Sequence, residues 1–196
     1  IFRTVEVMFS IVTVCTGNIC RSPMTEALLR SELTDAGLAQ RVRVSSAGVS
    51  DEEHGNPVDP RAARVLEREG LDPSGHSARQ VTLQWFEDHD LLLAMTDSHW
   101  NVLQRRAASL GAEPDRIRMY RELDPASAQQ AEAVTVGGSS RSVLNVPDPW
   151  YGTQADFEDT LEVDRDGIAG RGLAQLAWRN SWLVRTRSVA RLRPRR

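Results

Sequence analysis

The fold is decided by the stretch IVTVCTGNICRSP, residues 11–23. Its first four residues are β-branched without interruption, which predicts a buried strand over residues 11–14. A helix is predicted directly after the following loop, with Ser22 as its N-cap residue and Pro23 at its first helical position. Apolar residues then recur at helical spacing, and Gly37 is predicted to end the helix. A strand joined to a helix by a short loop is the building unit of α/β proteins with parallel sheets.

The rest of the chain repeats this alternation. Three further strands are predicted, at residues 42–45, 91–94 and 117–120. Helices are predicted between and after them, one starting at Asp59-Pro60 and the others covering about residues 98–108 and 156–168. The pattern predicts a parallel sheet with helices on both faces, whose ligand site lies beyond the carboxyl ends of the strands.

Length and composition fit one domain and a tail. With 196 residues, 40% of them hydrophobic, the chain can bury one core. The predicted domain covers residues 1–170 and contains a flexible insert at about residues 125–143, where Ala, Gln, Gly and Ser predominate. Residues 171–196 hold eight of the 24 basic residues and no acidic residue, and they are predicted to be disordered. The alternative is that this arginine-rich tail contacts nucleic acid or an acidic membrane surface.

The sequence has no feature of a secreted, membrane-spanning or metal-binding protein. No apolar run approaches the roughly 20 residues of a membrane span, and residues 1–10 lack the pattern of a signal peptide. Cys15 and Cys20 are the only cysteines, too few for a disulfide scaffold or a zinc site. We therefore expect a cytoplasmic protein that uses no metal and no other cofactor.

The loop of residues 15–22 is predicted to bind an anion. Its backbone N–H groups and the N-terminus of the following helix point at one spot. Gly17 and Asn18 tolerate the left-handed backbone that a tight cradle requires, and Arg21 can clamp two phosphate oxygens. This field favours the thiolate form of Cys15, which is placed to attack a bound phosphate. The alternative is a plain oxyanion-binding loop that contains an incidental buried cysteine.

A second segment offers the acid that such an attack needs. The expelled oxygen of a phosphate monoester requires a proton. Asp148 lies between two prolines, which predict an extended, exposed backbone. Trp150 and Tyr151 follow and can wall a pocket for a flat leaving group. The alternative is a turn whose aromatic side chains pack on the core.

Together, these segments resemble the low-molecular-weight protein-tyrosine phosphatases of the bacterial type. Residues 15–23 match the signature loop of that family, and residues 148–151 match its general-acid loop. The resemblance covers about residues 8–168. It implies a three-layer α/β fold, with helices on both faces of a four-stranded parallel sheet in the flavodoxin-like order 2-1-3-4.

The resemblance also implies a role for each catalytic residue. Cys15 would form a cysteinyl-phosphate while Asp148 protonates the leaving group, and Asp148 would then activate the hydrolytic water. Arg21 would hold phosphate oxygens, and Ser22 would stabilise the thiolate. The implied phosphate-binding set is Thr16, Gly17, Asn18, Ile19, Cys20, Arg21 and Ser22.

Three further residues receive supporting roles from the resemblance. Ser46 and His76 would hold Asn18 in a strained conformation. Cys20 would trap an oxidised Cys15 as a reversible disulfide. The alternative for Cys20 is a small buried side chain that fills space.

The choice of substrate follows from departures from the family pattern. Residues 95–99 resemble those of related protein-arginine phosphatases, but those relatives carry Thr at the position of Ile19 and lack the pair Trp150-Tyr151. An apolar, aromatic pocket of these three residues favours a phosphotyrosine protein substrate over phosphoarginine. Residues 51–53 place three carboxylates where many relatives have an aromatic, which favours basic phosphopeptides. The alternative is a solvated acidic loop.

The sequence argues against two other function classes. A thioredoxin-coupled arsenate reductase needs two more cysteines after Cys20, and the sequence has none. A non-catalytic phosphate-binding module would lack Cys15, Arg21 or Asp148, and all three are present. The sequence therefore predicts a cysteine-dependent protein-tyrosine phosphatase, with a protein-arginine phosphatase as the alternative.

Overall fold

The computed structural model describes residues 8–135 and 141–168, which form one α/β domain. Its sheet has four strands in the order β2-β1-β3-β4, and every neighbouring pair is parallel. This arrangement confirms the predicted fold class and strand order. The strands are β1 (Phe9–Cys15), β2 (Val42–Gly48), β3 (Leu91–Ala94) and β4 (Ile117–Met119).

Six α-helices are described around this sheet: α1 (Arg21–Asp35), α2 (Pro60–Arg68), α3 (Leu83–Asp88), α4 (Asp97–Leu110), α5 (Pro125–Thr135) and α6 (Gln154–Ile168). One apolar layer joins α1, α2 and α6 to one face of the sheet, and a second layer joins α3 and α4 to the other face. All seven residues of β1 are buried, because this central strand is covered on both faces. The carboxyl end of β1 therefore lies between the helices on the two faces of the sheet.

The start of α1 differs from the prediction. The helix begins at Arg21 with Cys20 as its N-cap, and Cys20 makes no side-chain capping bond. The predicted N-cap role of Ser22 is wrong, because the Ser22 hydroxyl lies against the Cys15 sulfur and the Ala47 carbonyl. Pro23 still fits here, since the first helical N–H groups have no partner within the helix.

The region predicted as a flexible insert contains a helix. The Asp124 carboxylate accepts hydrogen bonds from the backbone N–H groups of Ala126 (3.0 Å) and Ser127 (3.1 Å), which caps the start of α5. Pro125 is at the first helical position, as is common for that residue. A short 3₁₀ turn covers Arg141–Leu144, and residues 136–140 lie outside the described chain.

Some predictions fall where the structure gives no description. The arginine-rich tail, residues 171–196, lies outside the described residues, so the domain boundary at residue 170 stays a prediction. Across residues 8–135 and 141–168, no helix is long and apolar enough to cross a bilayer. The same residues contain no group of three or more His, Cys, Asp or Glu side chains placed to hold a metal ion.

A buried carboxylate, Asp164, lies between α6 and α1. Its Oδ2 accepts a hydrogen bond from the Thr25 hydroxyl at 2.8 Å, whereas Oδ1 is buried without a hydrogen-bond partner. Burial raises the pKa of Asp164 to about 8, although the Thr25 hydrogen bond and the charge of Arg21 oppose the shift. Between its ordinary value of 3.8 and about 8, the folded chain binds a proton that the unfolded chain has lost. Asp164 therefore lowers the free energy of unfolding progressively as the pH rises through this window.

We expect Asp164→Asn to be more stable than the parent at the upper end of this window and about equally stable at its lower end. Each unit of pKa shift corresponds to about 1.4 kcal/mol. Urea unfolding at several pH values measures the difference, and the exposed Asp166→Asn on the same helix is the matched control. A difference in stability between Asp164→Asn and the parent that does not change with pH would contradict the raised pKa of Asp164.

Candidate active site

The candidate nucleophile stands at the carboxyl end of the central strand. Cys15 is the last residue of β1 and is buried. Its sulfur lies 3.3 Å from the backbone nitrogen of Asn18, which donates to it, and 3.0 Å from the Ser22 hydroxyl oxygen. When Cys15 is a thiolate, both groups donate to the sulfur and stabilise its charge.

The phosphate loop, residues 15–22, is fixed by a strained residue at its centre. Asn18 has a φ of 64°, the only positive value at a non-glycine position in the described ranges. Its side-chain amide donates to the hydroxyls of Ser46 (2.9 Å) and Ser22 (3.0 Å), and its side-chain oxygen accepts from the Arg79 N–H. His76 Nε2 donates to the Asn18 carbonyl at 2.7 Å. These contacts offset the cost of the left-handed backbone, and they include both predicted supports.

The end of β2 approaches the phosphate loop too closely for a side chain. A Cβ atom on Gly48 would lie 2.4 Å from the Thr16 carbonyl oxygen. The next two residues, Val49 and Ser50, donate their N–H groups to the carbonyls of Cys15 (2.9 Å) and Thr16 (3.0 Å). Glycine at position 48 therefore allows the backbone after β2 to support the loop.

The fold brings Asp148 to this loop from far along the chain. Its Oδ2 lies 2.7 Å from Arg21 Nη2, and Arg21 is buried whereas the Asp148 side chain is half exposed. The segment before Asp148 is tied to the sheet by Val146, whose N–H donates to the Met95 carbonyl at 2.8 Å. The predicted acid thus reaches the same pocket as the predicted nucleophile and clamp.

A neutral histidine connects the loop to the start of α4. His99 Nε2 lies 2.9 Å from the Thr16 hydroxyl, and Nδ1 lies 2.9 Å from the Thr96 hydroxyl. Burial lowers the pKa of His99 to about 3, and the charge of Arg21 adds to this effect. Thr16 also accepts a hydrogen bond from Arg21 Nη2 at 3.4 Å, so His99 is linked through Thr16 to the anion clamp.

These residues surround a pocket of about 240 Å³. Cys15, Arg21 and Asp148 all line it. The apolar and aromatic part of the lining is made by Ile19, Trp150 and Tyr151, and the acidic part by Glu52 and Glu53. The aromatic pair is not packed in the core, since Trp150 is 39% exposed and Tyr151 is 96% exposed.

Cys20 is a buried free thiol, as is Cys15. Burial raises the pKa of Cys20 far above its usual range, and the nearby charges of Asp59 and Cys15 act in the same direction. The Cys20 sulfur therefore stays protonated, which makes it a weak nucleophile in this state. Its redox role stays a prediction.

Comparison with known proteins places the chain in a family. The family model described as "Low molecular weight phosphotyrosine protein phosphatase" matches residues 10–169. The chain belongs to this family. It is 41% identical over 150 residues to the low molecular weight protein-tyrosine-phosphatase of Streptomyces coelicolor, covering 76% of this chain and 83% of that one.

Two further proteins are similar to this chain. Low molecular weight protein-tyrosine phosphatase A of Mycobacterium tuberculosis is 40% identical over 157 residues, covering 80% of this chain and 85% of its own length. Among solved structures, the YwlE arginine phosphatase, a Bacillus subtilis protein, is 30% identical with a TM-score of 0.66. The match covers 86% of this chain and 95% of that one. The chain is thus similar to proteins named for each of the two predicted activities.

Sequence reasoning missed two side chains that contact the site. The sequence pattern gives His99 no role within residues 95–99, and it predicts only a capped helix start at Asp59-Pro60 without a role for Arg61. The structure confirms that cap, since Asp59 Oδ1 accepts from the Arg61 N–H at 2.8 Å. The sequence signal for Arg61 is its position two residues after Asp59, because this spacing allows the two oppositely charged side chains to pair.

Proposed function

We propose that this protein hydrolyses phosphotyrosine in proteins through a cysteinyl-phosphate intermediate on Cys15. The observation that carries the proposal is the 2.7 Å contact between Arg21 and Asp148 at the mouth of the loop that holds the Cys15 sulfur. A nucleophile, an anion clamp and an acid then meet in one pocket. The chemistry of this set needs no metal or organic cofactor.

In the first step, the Cys15 thiolate attacks phosphorus, so that an S–P bond forms while the bond between phosphorus and the tyrosine oxygen breaks. Asp148 donates its proton to the departing oxygen. Arg21 and the backbone N–H groups of residues 16–21 hold the equatorial oxygens as their charge redistributes. Without substrate, the contact with Arg21 places the Asp148 carboxylate at the edge of the cradle.

In the second step, water attacks the phosphorus of the intermediate. Asp148, now a carboxylate, accepts a proton from the water, and the S–P bond breaks to return Cys15 as a thiolate. The Ser22 hydroxyl and the Asn18 N–H stabilise this leaving thiolate through the contacts described above. The product is inorganic phosphate.

Phosphoarginine is the second candidate substrate. The carboxylates of Glu52 and Glu53 line the pocket and are suitable partners for a guanidinium group. The rest of the pocket entrance is apolar and aromatic, which suits a phenol ring better. Ile19 cannot hydrogen-bond a guanidinium, and we therefore place phosphotyrosine first.

Phosphate release from two peptides that differ only in the phosphorylated residue tests this ranking. We expect faster release from phosphotyrosine than from phosphoarginine, and a shift towards phosphoarginine in Ile19→Thr, whose hydroxyl can accept a hydrogen bond. Faster release from phosphoarginine by the parent enzyme would be consistent with the proposed nucleophile but would contradict the proposed substrate. Release from neither peptide would favour a phosphate-binding module without catalysis.

The acidic side of the pocket predicts a preference for basic sequences around the phosphotyrosine. An exposed charge pair at about 4 Å is worth roughly 1 kcal/mol, or about fivefold in kcat/KM. We expect arginine-flanked peptides to exceed glutamate-flanked ones by about this factor, and the preference to disappear in Glu52→Gln/Glu53→Gln and at high salt. Glu87→Gln, an exposed change that does not line the pocket, is the control. An unchanged preference in the double variant would contradict this role.

The place of action and the partner follow from the same chemistry. A nucleophilic thiolate with a second thiol nearby works in a reducing compartment, and we propose a cytoplasmic location. The partner would be a phosphotyrosine protein that presents its side chain from an exposed segment, since the pocket holds little more than the phosphorylated ring. Contact of the arginine-rich tail with nucleic acid or membranes remains the less favoured prediction.

A further inference from the structure

We propose that Arg61 is a positioning residue that holds the acid loop, residues 147–152, in register with the phosphate loop. The inference rests on the proposed function, because it assigns Arg61 to the step in which Asp148 donates its proton. Arg61 lies on the first turn of α2 and does not line the pocket. It would act through the geometry of the acid loop.

One end of this connection is fixed to the phosphate loop. Arg61 Nε lies 3.1 Å from Asp59 Oδ1, and Nη2 lies 3.0 Å from Asp59 Oδ2, so the guanidinium is held as a two-bond fork. Asp59 is buried, and its N–H donates to the carbonyl of Ile19 at 2.8 Å. The position of the guanidinium is thereby tied to the loop that contains Cys15.

The other end contacts the acid loop at two points. Arg61 Nη1 donates to the Gly152 carbonyl at 3.0 Å. The guanidinium carbon lies 5.7 Å from the centre of the Trp150 ring and 4.5 Å from that of the buried Phe157 ring. Cation–π contacts of this kind add to the hydrogen bond and restrict the loop after Asp148.

The acid loop depends on such a support because its own sequence supplies few anchors. Pro147 and Pro149 have no N–H to donate. The Asp148 carboxylate is half exposed and accepts from the Trp150 N–H at 3.2 Å, a contact within the loop itself. Val146 anchors the start of the loop to the sheet, and Arg61 anchors its end.

Only arginine can make this connection in one plane. Its fork serves both Asp59 oxygens and still has an N–H for the Gly152 carbonyl, whereas a lysine ammonium cannot span both partners. The charge of Arg61 is already balanced by Asp59. Removing Arg61 should therefore misplace the acid and leave the nucleophile and the anion clamp unchanged.

Leaving groups of different basicity separate this role from a merely structural one. Phenyl phosphate needs protonation of its oxygen, whereas dinitrophenyl phosphate leaves without it. The constant kcat/KM reports the formation of the cysteinyl-phosphate and excludes its hydrolysis. In Arg61→Met and Arg61→Lys, we expect kcat/KM for phenyl phosphate to fall about 10- to 100-fold and that for dinitrophenyl phosphate to change less than about threefold.

Two comparisons complete the test. Arg64→Met is the matched control, since Arg64 lies one helical turn after Arg61 on α2 and contacts the half-buried Gln154 side chain rather than the acid loop. In an Asp148→Asn background, Arg61→Met should cause almost no further loss, because both changes remove the same proton transfer. Arg61→Lys keeps the charge and the aliphatic part of the side chain. It replaces Arg61→Met in the test if Arg61→Met melts at a much lower temperature than the parent.

Equal losses for the two substrates, or additive losses with Asp148→Asn, would overturn the positioning role. Unchanged kcat/KM for phenyl phosphate in both folded variants would do the same. Failure of the parent protein to hydrolyse either compound would instead contradict the proposed function, so the two failures are distinguishable.

Discussion

Replacing Cys15 with serine is expected to lower kcat/KM for a phosphotyrosine peptide by about 10⁴-fold or more, the size of loss seen when the nucleophile of a covalent enzyme is removed. A serine hydroxyl at this position is not ionised, so the contacts from Asn18 and Ser22 no longer stabilise an attacking anion. Steady-state phosphate release measures the effect.

The same variant has a built-in control for folding. The backbone cradle and Arg21 remain in Cys15→Ser, so inorganic phosphate should still raise its melting temperature through binding to the folded state. Retained phosphate binding with lost turnover would assign the loss to the missing thiolate. Turnover within about tenfold of the parent would show that Cys15 is not the nucleophile.

Asp148→Asn carries the second large expected effect. An amide keeps the size of the side chain but cannot donate a proton to the leaving oxygen, so kcat/KM for phenyl phosphate should fall about 10²- to 10⁴-fold. The loss for dinitrophenyl phosphate should be much smaller.

Asp159→Asn, an exposed change on α6, removes the same charge outside the pocket and serves as the control. It should leave kcat/KM for both leaving groups unchanged. Equal losses for phenyl phosphate and dinitrophenyl phosphate in Asp148→Asn would mean that another group donates the proton.

Local chemistry explains why the phosphate loop was found from sequence. A strand, a short loop with Gly17 and Asn18, and a helix that starts at once produce an anion site wherever they occur. Asp148 was harder to identify, because its partner Arg21 is distant in sequence. The aromatic pair after Asp148 and the flanking prolines supplied the signal there.

The strand pattern and the strand order came from different sources. Alternating apolar and polar segments predicted the α/β class, and the uninterrupted apolar run of β3 matched a strand with both faces covered. The order β2-β1-β3-β4 depends on how each connection crosses the sheet, which local patterns do not encode. Only the family resemblance supplied it.

The errors in the prediction have three different physical causes. Serine is a common N-cap residue, but the Ser22 hydroxyl contacts the Cys15 sulfur and the Ala47 carbonyl instead of a backbone N–H of the helix. The segment after Asp124 looked loop-like, although its alanines favour a helix once Asp124 caps it. Helix α3 was missed because six residues are too few for a clear helical period.

The most direct test of the account is to stop the reaction with a phosphotyrosine peptide in acid during the first turnover and to locate the phosphoryl group by mass spectrometry of the digested enzyme. We predict one phosphoryl group on the peptide that contains Cys15, formed and lost at rates that match turnover. A phosphoryl group on another residue, or release of phosphate without any phosphorylated enzyme, would contradict the central claim.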